Sequence, residues 1–572
     1  MTITVHNPLD EDPSRTATRK ERRRAQAAAR VAQLPRWRFQ LALTTVLVGE
    51  LAALAAVMAL AAVAPWWALI PVAVAVLVIS TLTYRGAATP RWARRAYALR
   101  RHRRSTRRRI SDAHIPAPFS VELPGVGAIG MRWDGQYAIT VITLYGRQYS
   151  ETVLIPEGVD TRDSVPLEAI GGLLEQFGGL ELHSIDVVSD GTRTAPNGRF
   201  TPRYDEIISD RAAVGMRRTW LVMRLRPQAC LDAISYRGSV AQAAAAATER
   251  IRQAAARLGC RALTCGPEQI TEATQALLDY QGLDVYEQRW ADLRLGDDYV
   301  SLYRIAGADL STRALNDFWT IRAKKTVVVL RLSRDKDSHE LMVAALVRVH
   351  TTTPQHHPPL SVLHSVAGQS FPAILASLPL GDRSVQLEFS QRQLASAGLQ
   401  VPVGPSGFLH GMAERAGVPF LMSWTDPHKF IRVAIAADAD VVASLILRAS
   451  AAGATAEIHT ARTRLWEPIC DGVRINLGRE GKRSDDVTLV VADGAEVQQA
   501  LAASGARGRA LVSVAAAGQP LPQDADIMIK QVSERHITVQ TPVRNSPITL
   551  GIMRPRNEVQ SLAHLRRQEA QR

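Results

Sequence analysis

Asp438 and Asp440 are the residues of this sequence whose type and spacing best suit metal chemistry. They follow a strand-like run, and two carboxylates at a strand end can share one hard divalent cation. The spacing also suits a helix start, with Asp440 as the N-cap of a helix predicted over residues 441–452. We favour the N-cap interpretation, because the same Asp-x-Asp spacing recurs twice in turn-like segments.

Patterns for nucleotide binding and for hydrolysis are incomplete in the sequence. Residues 478–484 (GREGKRS) have too few residues between their glycines for a P-loop and lack Ser or Thr directly after the lysine. We expect a hydrated turn there. Residues 368–372 (GQSFP) lack the final glycine of a nucleophile elbow, so no hydrolase is predicted.

The cysteines and histidines are not spaced as metal ligands. Cys260 and Cys265 are separated by five positions with no second pair nearby, so we expect buried thiols. His356 and His357 lie in a Pro-rich loop without a matching acid, which favours an exposed loop. The four cysteines are too few for a disulfide scaffold, in agreement with a reducing cytoplasm. The sequence predicts no catalytic set and no cofactor.

The element that must position the rest of the chain is one apolar stretch, residues 39–84, with one Glu and no Lys, Arg or Asp. Pro65 and two tryptophans divide it into runs of 26 residues (39–64) and 19 residues (66–84). At about 1.5 Å per residue, the shorter run reaches roughly 29 Å, close to the ~30 Å of a hydrocarbon core. The stretch predicts a transmembrane hairpin of two helices.

Basic arms on both sides of the hairpin predict its orientation. Residues 1–38 hold nine Lys and Arg, residues 85–109 hold eleven, and the turn holds none. Because cations are retained on the cytoplasmic side, we expect both termini and the large domain in the cytoplasm. The arms should also contact anionic lipid. The predicted lipid-contacting residues are Arg36, Arg38, Arg85, Arg100, Arg101, Arg103 and Arg104.

The charge distribution argues against a nucleic-acid-binding protein. The formal net charge is +15, yet residues 110–572 contain 49 basic and 49 acidic residues. The basic surplus is confined to the arms, so the large domain lacks the net positive charge that nucleic-acid binding requires.

Glu50 is the one ionisable residue inside the predicted hairpin. Carboxylates within a membrane are costly, and two spans alone cannot enclose an ion pathway, so we expect Glu50 to make a polar contact that holds helices or subunits together. Small residues that would permit close helix contact are Gly49, Ala52, Ala53, Ala55, Ala56 and Ala61.

Beyond residue 117, short strands alternate with helices, which predicts a layered α/β fold. About 460 residues exceed what one hydrophobic core holds, so two cytoplasmic lobes are expected, at residues 118–400 and 401–572. With a tail at 1–38 and a basic arm at 85–117, the predicted fold class is a membrane-anchored α/β protein. Predicted strands include residues 137–145 and 431–436, and predicted helices include residues 165–177, 239–258, 268–278 and 497–504.

Several local strings resemble the EccE family, a membrane subunit of the actinobacterial type VII (ESX) secretion machine. They follow the early two-helix hairpin and fall in two regions. The first holds residues 236–238 (YRG), 240–256 and 257–264 (RLGCRALT), within an EccE-like core at about 150–300. The second holds residues 447–454 (LRASAAGA), 459–462 (HTAR) and Trp466.

This resemblance implies a five-protein complex of the bacterial inner membrane, in which the subunit lies at the periphery beside EccB, EccC (the ATPase) and EccD. It implies a structural subunit that supports protein export through protein and membrane contacts, without catalysis of its own. The alternative is a membrane-anchored, glycosyltransferase-like enzyme that uses Asp438 and Asp440 to bind a divalent metal.

Overall fold

The computed structural model describes residues 37–39, 43–61, 65–84, 87–88, 92–97, 99–100, 115–156, 158–335, 337–382, 390–395, 397–478, 486–494 and 506–569. The predictions for the N-terminal tail before residue 37, for the turn at 479–484 and for the helix at 497–504 lie outside these residues. The chain divides into two compact units, Met1–Ile110 with Pro358–His364, and Ser111–His357 with Ser365–Arg572.

The first unit contains a hairpin of two apolar helices, α1 (Leu43–Leu60) and α2 (Trp66–Thr81). The chain enters through β1 (Trp37–Phe39), which pairs antiparallel with β2 (Leu82–Tyr84), and β3 (Ala87–Ala88) adds a third strand. Within the part of the chain that the structure describes, neither these helices nor any other is both long and apolar enough to span a membrane.

The prediction that the second helix continues to residue 84 is wrong. Leu82 leaves the helical conformation, with φ −73° and ψ 126°, and residues 82–84 pair with β1 instead. Thr83 and Tyr84 favour extended backbone, and pairing with β1 gives their backbone groups hydrogen-bond partners. The same pairing places Phe39, predicted to begin the first helix, in β1.

The second unit is built from short strands around two large sheets. The strands after β3 are β4 (Phe119–Leu123), β5 (Gly127–Asp134), β6 (Tyr137–Tyr145), β7 (Glu151–Ile155), β8 (Gly158–Thr161), β9 (Glu175–Gln176), β10 (Leu180–Thr192), β11 (Met216–Leu225), β12 (Arg261–Thr264), β13 (Tyr286–Gln288), β14 (Leu293–Leu295), β15 (Asp298–Ile305), β16 (Lys325–Arg334), β17 (Leu341–Thr351), β18 (Leu363–Ser365), β19 (Arg392–Gln393), β20 (Phe408–Ala413), β21 (Val418–Met422), β22 (Ile431–Ala436), β23 (Ala456–Thr460), β24 (Ile475–Leu477), β25 (Leu489–Asp493), β26 (Ala510–Ala515), β27 (Ile527–Ser533), β28 (His536–Gln540) and β29 (Ile548–Gly551). All of them belong to the second unit except Leu363 and His364 of β18.

Helices cover the faces and ends of these sheets. They are α3 (Leu167–Gly172), α4 (Thr201–Ile208), α5 (Leu231–Ser235), α6 (Val240–Arg257), α7 (Pro267–Leu277), α8 (Thr312–Asp317), α9 (Ser370–Ala376), α10 (Ala439–Ala451), α11 (Thr463–Trp466) and α12 (Arg556–Glu569).

The first sheet is antiparallel along its main path, in the order β13, β14, β15, β17, β16, β10, β11, β6, β5, β4. Its central strands are rich in Val, Ile, Leu and Thr, which favour extended backbone, and are buried along most of their length. β6 confirms the strand predicted at residues 137–145.

Helices α6 and α7 pack on the β4–β6 end of this sheet. The hydroxyl of Ser239 caps α6 by accepting a hydrogen bond from the backbone N–H of Gln242 at 3.1 Å. Gly130 on β5 lets the start of α7 approach the sheet, because a Cβ there would lie 2.5 Å from the carbonyl carbon of Gly266. The helices predicted at residues 239–258 and 268–278 are confirmed to within one or two residues at their ends.

The second sheet combines a parallel and an antiparallel part, in the order β24, β23, β25, β26, β22, β27, β28, β29, β20, β21, β7, β8. Strands from β24 to β27 along this order run parallel, as the predicted strand-helix alternation requires. β7 pairs with β21, so this sheet takes strands from both sides of residue 400.

The centre of the second sheet's core is α10, in which all residues are buried. Arg448 on this helix donates to Oε2 of Glu558 on α12 at 2.7 Å, and both side chains are almost fully buried. Residues 447–454, one of the strings that resemble the EccE family, therefore form the last turn of this core helix and the residues directly after it.

The helix predicted at residues 165–177 is much shorter than predicted. α3 ends at Gly172, after which residues 175–176 form β9 and pair with the start of β10. Consecutive glycines at 171 and 172 explain the early end, since glycine loses the most conformational freedom in a helix.

Candidate interaction sites

The two helices of the hairpin meet at small residues. A Cβ added to Gly49 of α1 would lie 3.1 Å from Cβ of Ser80 on α2, so the helices are close to backbone contact there. Ala53, one turn further along, is also buried, whereas Ala52, Ala55 and Ala61 are exposed. Of the predicted small residues, Gly49 and Ala53 thus belong to the contact within the hairpin.

Each hairpin helix also presents an exposed apolar stripe at helical spacing. Exposed apolar stripes of this kind are typical of helices that contact lipid or the apolar helices of other proteins. Glu50 is exposed on α1 between two members of the first stripe. The stripes consist of Leu47, Leu51, Leu54 and Met58 on α1, and Trp67, Ile70, Val74 and Val78 on α2.

The predicted arginine arms are only partly described. Arg100 is exposed, and Arg38 lies on β1. Five predicted lipid-contacting residues lie outside the described residues: Arg36, Arg85, Arg101, Arg103 and Arg104.

The structure gives Asp438 and Asp440 separate protein partners. Oδ2 of Asp438 accepts a hydrogen bond from Nε2 of Gln531 at 2.7 Å, and Oδ2 of Asp440 lies 3.5 Å from NH2 of Arg554. The helix begins at Ala439 with Asp438 in the N-cap position, so the predicted N-cap at Asp440 is wrong. Asp440 is buried in the first turn of α10, where the guanidinium of Arg554 provides a counter-charge for its carboxylate.

The cysteines and histidines do not converge on a common centre. Cys260 and Cys265 are buried thiols, as predicted, and burial raises the pKa of Cys265 to about 11. His356 and His357 are exposed. Among the described residues, no group of three or more His, Cys, Asp or Glu side chains is placed to hold a metal ion.

A buried polar cluster that was not predicted from the sequence centres on Asp186 in β10. Its carboxylate accepts hydrogen bonds from Arg224 on β11 at 2.6 Å and from Arg331 on β16 at 2.8 Å. All three side chains are buried. Although burial alone would raise the pKa of Asp186, the two guanidinium groups hold it below its ordinary value.

This cluster fastens a segment across the sheet. Nε of Arg224 donates to the carbonyl oxygen of Leu380 at 2.6 Å, and NH1 of Arg331 donates to Asp382 at 2.7 Å. Arg132 on β5 adds a bond to the carbonyl of Pro379 at 2.9 Å. The three buried arginines therefore hold residues 378–382 on the sheet, because each of them donates to a group in that segment.

A protruding aromatic patch lies at one end of the first sheet, on the turn after β9 and on α5. We define the aromatic patch as Phe177, Leu231 and Tyr236, which are 82%, 65% and 90% exposed. Exposed large apolar side chains that lie near one another are typical of protein interaction surfaces. Tyr236 is the first residue of the string at 236–238 that resembles the EccE family, and Leu231 lies five residues before it.

Arg237 holds the two parts of the aromatic patch together. Its guanidinium donates to the carbonyl oxygens of Phe177 and Ala233 and thus joins the turn to α5. Arg250 lies with its guanidinium carbon 5.6 Å from the centre of the Phe177 ring. Arg237 therefore joins the two backbone segments that carry the aromatic patch, while the Phe177 and Tyr236 side chains are exposed.

Comparison with known proteins first indicates the class of protein: the chain is similar to components of type VII secretion systems. A family model described as "Putative type VII ESX secretion system translocon, EccE" matches residues 213–305. This segment runs from the loop before β11 to the end of β15, and contains α6, α7 and two of the three members of the aromatic patch. The strings at 236–264 lie inside it, and those at 447–466 lie outside.

Curated relatives narrow the class to one family. The ESX-2 protein EccE2 of Mycobacterium tuberculosis is 26% identical over 344 residues, which are 59% of this chain and 62% of the relative. The ESX-5 protein EccE5 of Mycobacterium marinum is 27% identical over 59% of this chain and 86% of its own length. The ESX-1 protein EccE1 of Mycolicibacterium smegmatis is 26% identical over 68% and 76%. These matches confirm the resemblance to the EccE family.

Proposed function

We propose that this protein is a structural subunit of a type VII secretion complex in the bacterial inner membrane and supports protein export through contacts with other subunits. The observation that carries the proposal is the EccE family match over residues 213–305, together with EccE relatives from three ESX systems. The proposed partners are EccB, EccC and EccD.

The hairpin is proposed to be the membrane anchor. Its two helices expose apolar stripes on the faces that do not pack on each other, and basic arms flank it at both ends. Retention of the arms on one side would leave both termini and the large unit in the cytoplasm. We further propose that the arms contact anionic lipid and that Glu50 makes a polar contact with a neighbouring subunit.

The aromatic patch is the proposed docking surface of the large unit. It is exposed, Arg237 joins the two segments that carry it, and two of its three members lie inside the segment that the EccE family model matches. Aromatic side chains contribute much of the binding energy at protein interfaces, because they bury a large area at a low entropy cost.

A non-catalytic role fits the way the polar side chains are used. Asp438 and Asp440, the residues of the enzyme alternative, point to different protein partners, Gln531 and Arg554. The buried arginines and Asp186 bind one another and the 378–382 segment.

The proposal can be tested with substitutions in the aromatic patch. The double variant Phe177→Ser/Tyr236→Ser should reduce both the recovery of partner subunits with the tagged chain and the amount of exported protein, by at least about tenfold for a two-aromatic hot spot. The matched control is Val532→Ser/Val543→Ser, which removes two exposed apolar side chains, one on β27 and one on the turn between β28 and β29. Equal losses in both variants would contradict the assignment of the docking surface.

The catalytic alternative has its own test. Asp438→Ala/Asp440→Ala should leave the amount of exported protein unchanged once the abundance of the subunit is taken into account. Loss of export with normal recovery of the partner subunits would contradict a purely structural role.

A further inference from the structure

Glu50 places a carboxyl group near the middle of α1, a mostly apolar helix. It lies seven residues after the start of the helix at Leu43 and ten before its end at Leu60. At about 1.5 Å per residue, the two ends are roughly 10 and 15 Å away. A glutamate side chain is shorter than either distance and does not bring its carboxyl group to water at a helix end. In the proposed membrane anchor, this group therefore needs a partner at its own depth.

The neighbours of Glu50 on its own helix are apolar. Residues three and four positions away share a helix face with it, and these are Val46, Leu47, Ala53 and Leu54. Glu50 is exposed, and Leu47 and Leu54 beside it are 49% and 57% exposed. We call Leu47, Glu50 and Leu54 the Glu50 strip, an exposed apolar surface with a single acid in it.

The contact between α1 and α2 does not provide the partner. The helices approach at Gly49, where an added Cβ would lie 3.1 Å from Cβ of Ser80, and Ser80 is only 5% exposed. Glu50 follows Gly49 directly but remains exposed. Within the part of the chain that the structure describes, its carboxyl group has no hydrogen bond and no ion pair.

Lipid tails and a second copy of this chain both complement the Glu50 strip poorly. Lipid tails offer no hydrogen-bond donor, so a carboxyl group that faces them stays unpaired. A second copy brings the same strip, and two ionised carboxylates placed side by side repel each other. An apolar helix of a different protein that carries one donor satisfies both the leucines and the acid.

We propose that the Glu50 strip docks on an apolar membrane helix of a different subunit, and that this helix donates a hydrogen bond to Glu50 from an uncharged side chain of the Ser, Thr, Asn or Gln type. An uncharged donor is chosen because a basic side chain at this depth would add a second costly charge. The bond also sets the register of the two helices, since a shift by one turn separates the polar groups. The inference rests on the proposed function, in which the hairpin is a membrane anchor beside other subunits.

The docking face is tested by photocrosslinking of the tagged full chain in its own cells, with benzoylphenylalanine in place of Leu54. Irradiation should link this position to a membrane segment of another subunit, which peptide mapping identifies. The matched control carries benzoylphenylalanine in place of Ala52, which is also exposed but lies about 160° around the helix from Leu54. The control should give less of this product.

Substitutions of Glu50 test the hydrogen bond itself. Glu50→Leu should reduce the Leu54 product by about three- to tenfold, the range that hydrogen bonds between membrane helices provide. Glu50→Gln should retain the product, because an amide oxygen still accepts the bond. Ala52→Leu controls for added apolar bulk and should also retain it. Each product is compared with the amount of that variant in the membrane fraction.

The outcomes separate this inference from the proposed function. If other type VII subunits accompany the chain but Leu54 links only to lipid or to a second copy, the inference is overturned and the proposed function stands. The inference is also overturned if Ala52 gives as much product as Leu54, if Glu50→Leu gives as much as the unaltered chain, or if Glu50→Gln loses as much as Glu50→Leu. If no other subunit accompanies the chain, the proposed function fails and the inference fails with it.

Discussion

The indole N–H of Trp424 donates a hydrogen bond of 2.9 Å to Nε2 of His410, while Nδ1 of the same imidazole lies 2.9 Å from the carbonyl oxygen of Phe408. A carbonyl oxygen only accepts, so the proton is on Nδ1 and the ring is neutral. The ring is fully buried, and burial lowers the pKa of His410 to about 3.

This geometry predicts acid sensitivity with a defined sign. The folded pKa is below the unfolded value of about 6.5, so as the pH falls below about 6.5 the unfolded chain binds a proton that the folded chain does not. His410 should therefore lower the free energy of unfolding by about 1.4 kcal/mol per pH unit down to about pH 3. Urea unfolding at pH 7 and pH 5, followed by tryptophan fluorescence, measures the effect.

The matched variants are His410→Gln and His357→Gln. Glutamine can still accept the hydrogen bond from Trp424 but does not titrate, so the first variant should be less sensitive to pH than the unaltered chain. His357 is exposed, and its replacement should leave the pH dependence unchanged. The same slope in His410→Gln as in the unaltered chain would refute the assignment.

The Asp186 cluster predicts a large loss of stability from a change of one functional group. Asp186→Asn would leave the buried guanidinium of Arg224 without its carboxylate partner and Arg331 with Asp382 alone, and should reduce the free energy of unfolding by about 3–5 kcal/mol. Asp524→Asn removes one member of an exposed pair with Arg432, 3.6 Å apart, and should cost less than about 1 kcal/mol. Thermal unfolding of both variants compares them, and similar midpoints would contradict the structural role.

Gly407 is a position where backbone conformation and space both require glycine. Its φ is +80°, and a Cβ there would lie 2.1 Å from the carbonyl carbon of Met422. Gly407→Ala should therefore lose at least about 2 kcal/mol of stability, since both strain and a backbone clash act together. Gly172→Ala in α3 meets no neighbour and should be neutral or stabilising by up to about 1 kcal/mol. Circular dichroism during thermal unfolding gives both values.

The packing of the hairpin predicts that substitutions at Gly49 and at Ala55 of α1 affect its stability differently. Gly49→Ile should separate α1 from α2, because even a Cβ at this position lies 3.1 Å from Ser80, whereas Ala55→Ile adds its bulk on an exposed face. Hydrogen exchange of the full chain in nanodiscs should show faster exchange of the helix amides in the first variant only. Unchanged protection in Gly49→Ile would mean that this contact does not hold the hairpin together.

The proposed lipid contacts predict a change in bound lipid. Replacing Arg100, Arg101, Arg103 and Arg104 with Gln should reduce the anionic phospholipid that remains with the detergent-purified chain, since each arginine contributes about 1 kcal/mol of attraction to an anionic surface. The control replaces four exposed arginines of the large unit, Arg257, Arg294, Arg415 and Arg535. Equal retention of anionic lipid in both would argue against contact by the arm.

The parts of this fold that depend on local sequence were predictable. The apolar hairpin, β6 and helices α6 and α7 follow from periodicity and capping, and Ser239 caps α6 as its type and position suggest. Residues 82–84 show the limit, since a strand of three residues forms there only because β1 is available as a partner.

Long-range contacts were beyond sequence reasoning. Asp186 meets Arg331 across 145 positions in the sequence, and β7 joins a sheet whose adjacent strand, β21, lies more than 250 residues further along the chain. The alternating pattern of these strands gives no information on which partner they select. The aromatic patch has a weak signal in the string at 236–238, but the hydrogen bond from Arg237 to the carbonyl oxygen of Phe177 joins residues 60 positions apart, which the string does not predict.

The most direct measurement of the central claim is purification of the tagged full chain from its own cells in mild detergent, with crosslinking and mass spectrometry of whatever accompanies it. The account predicts stable recovery with other type VII secretion membrane subunits and crosslinks that reach the large unit. Recovery of the chain by itself, in cells where the other subunits are present and intact, would contradict it.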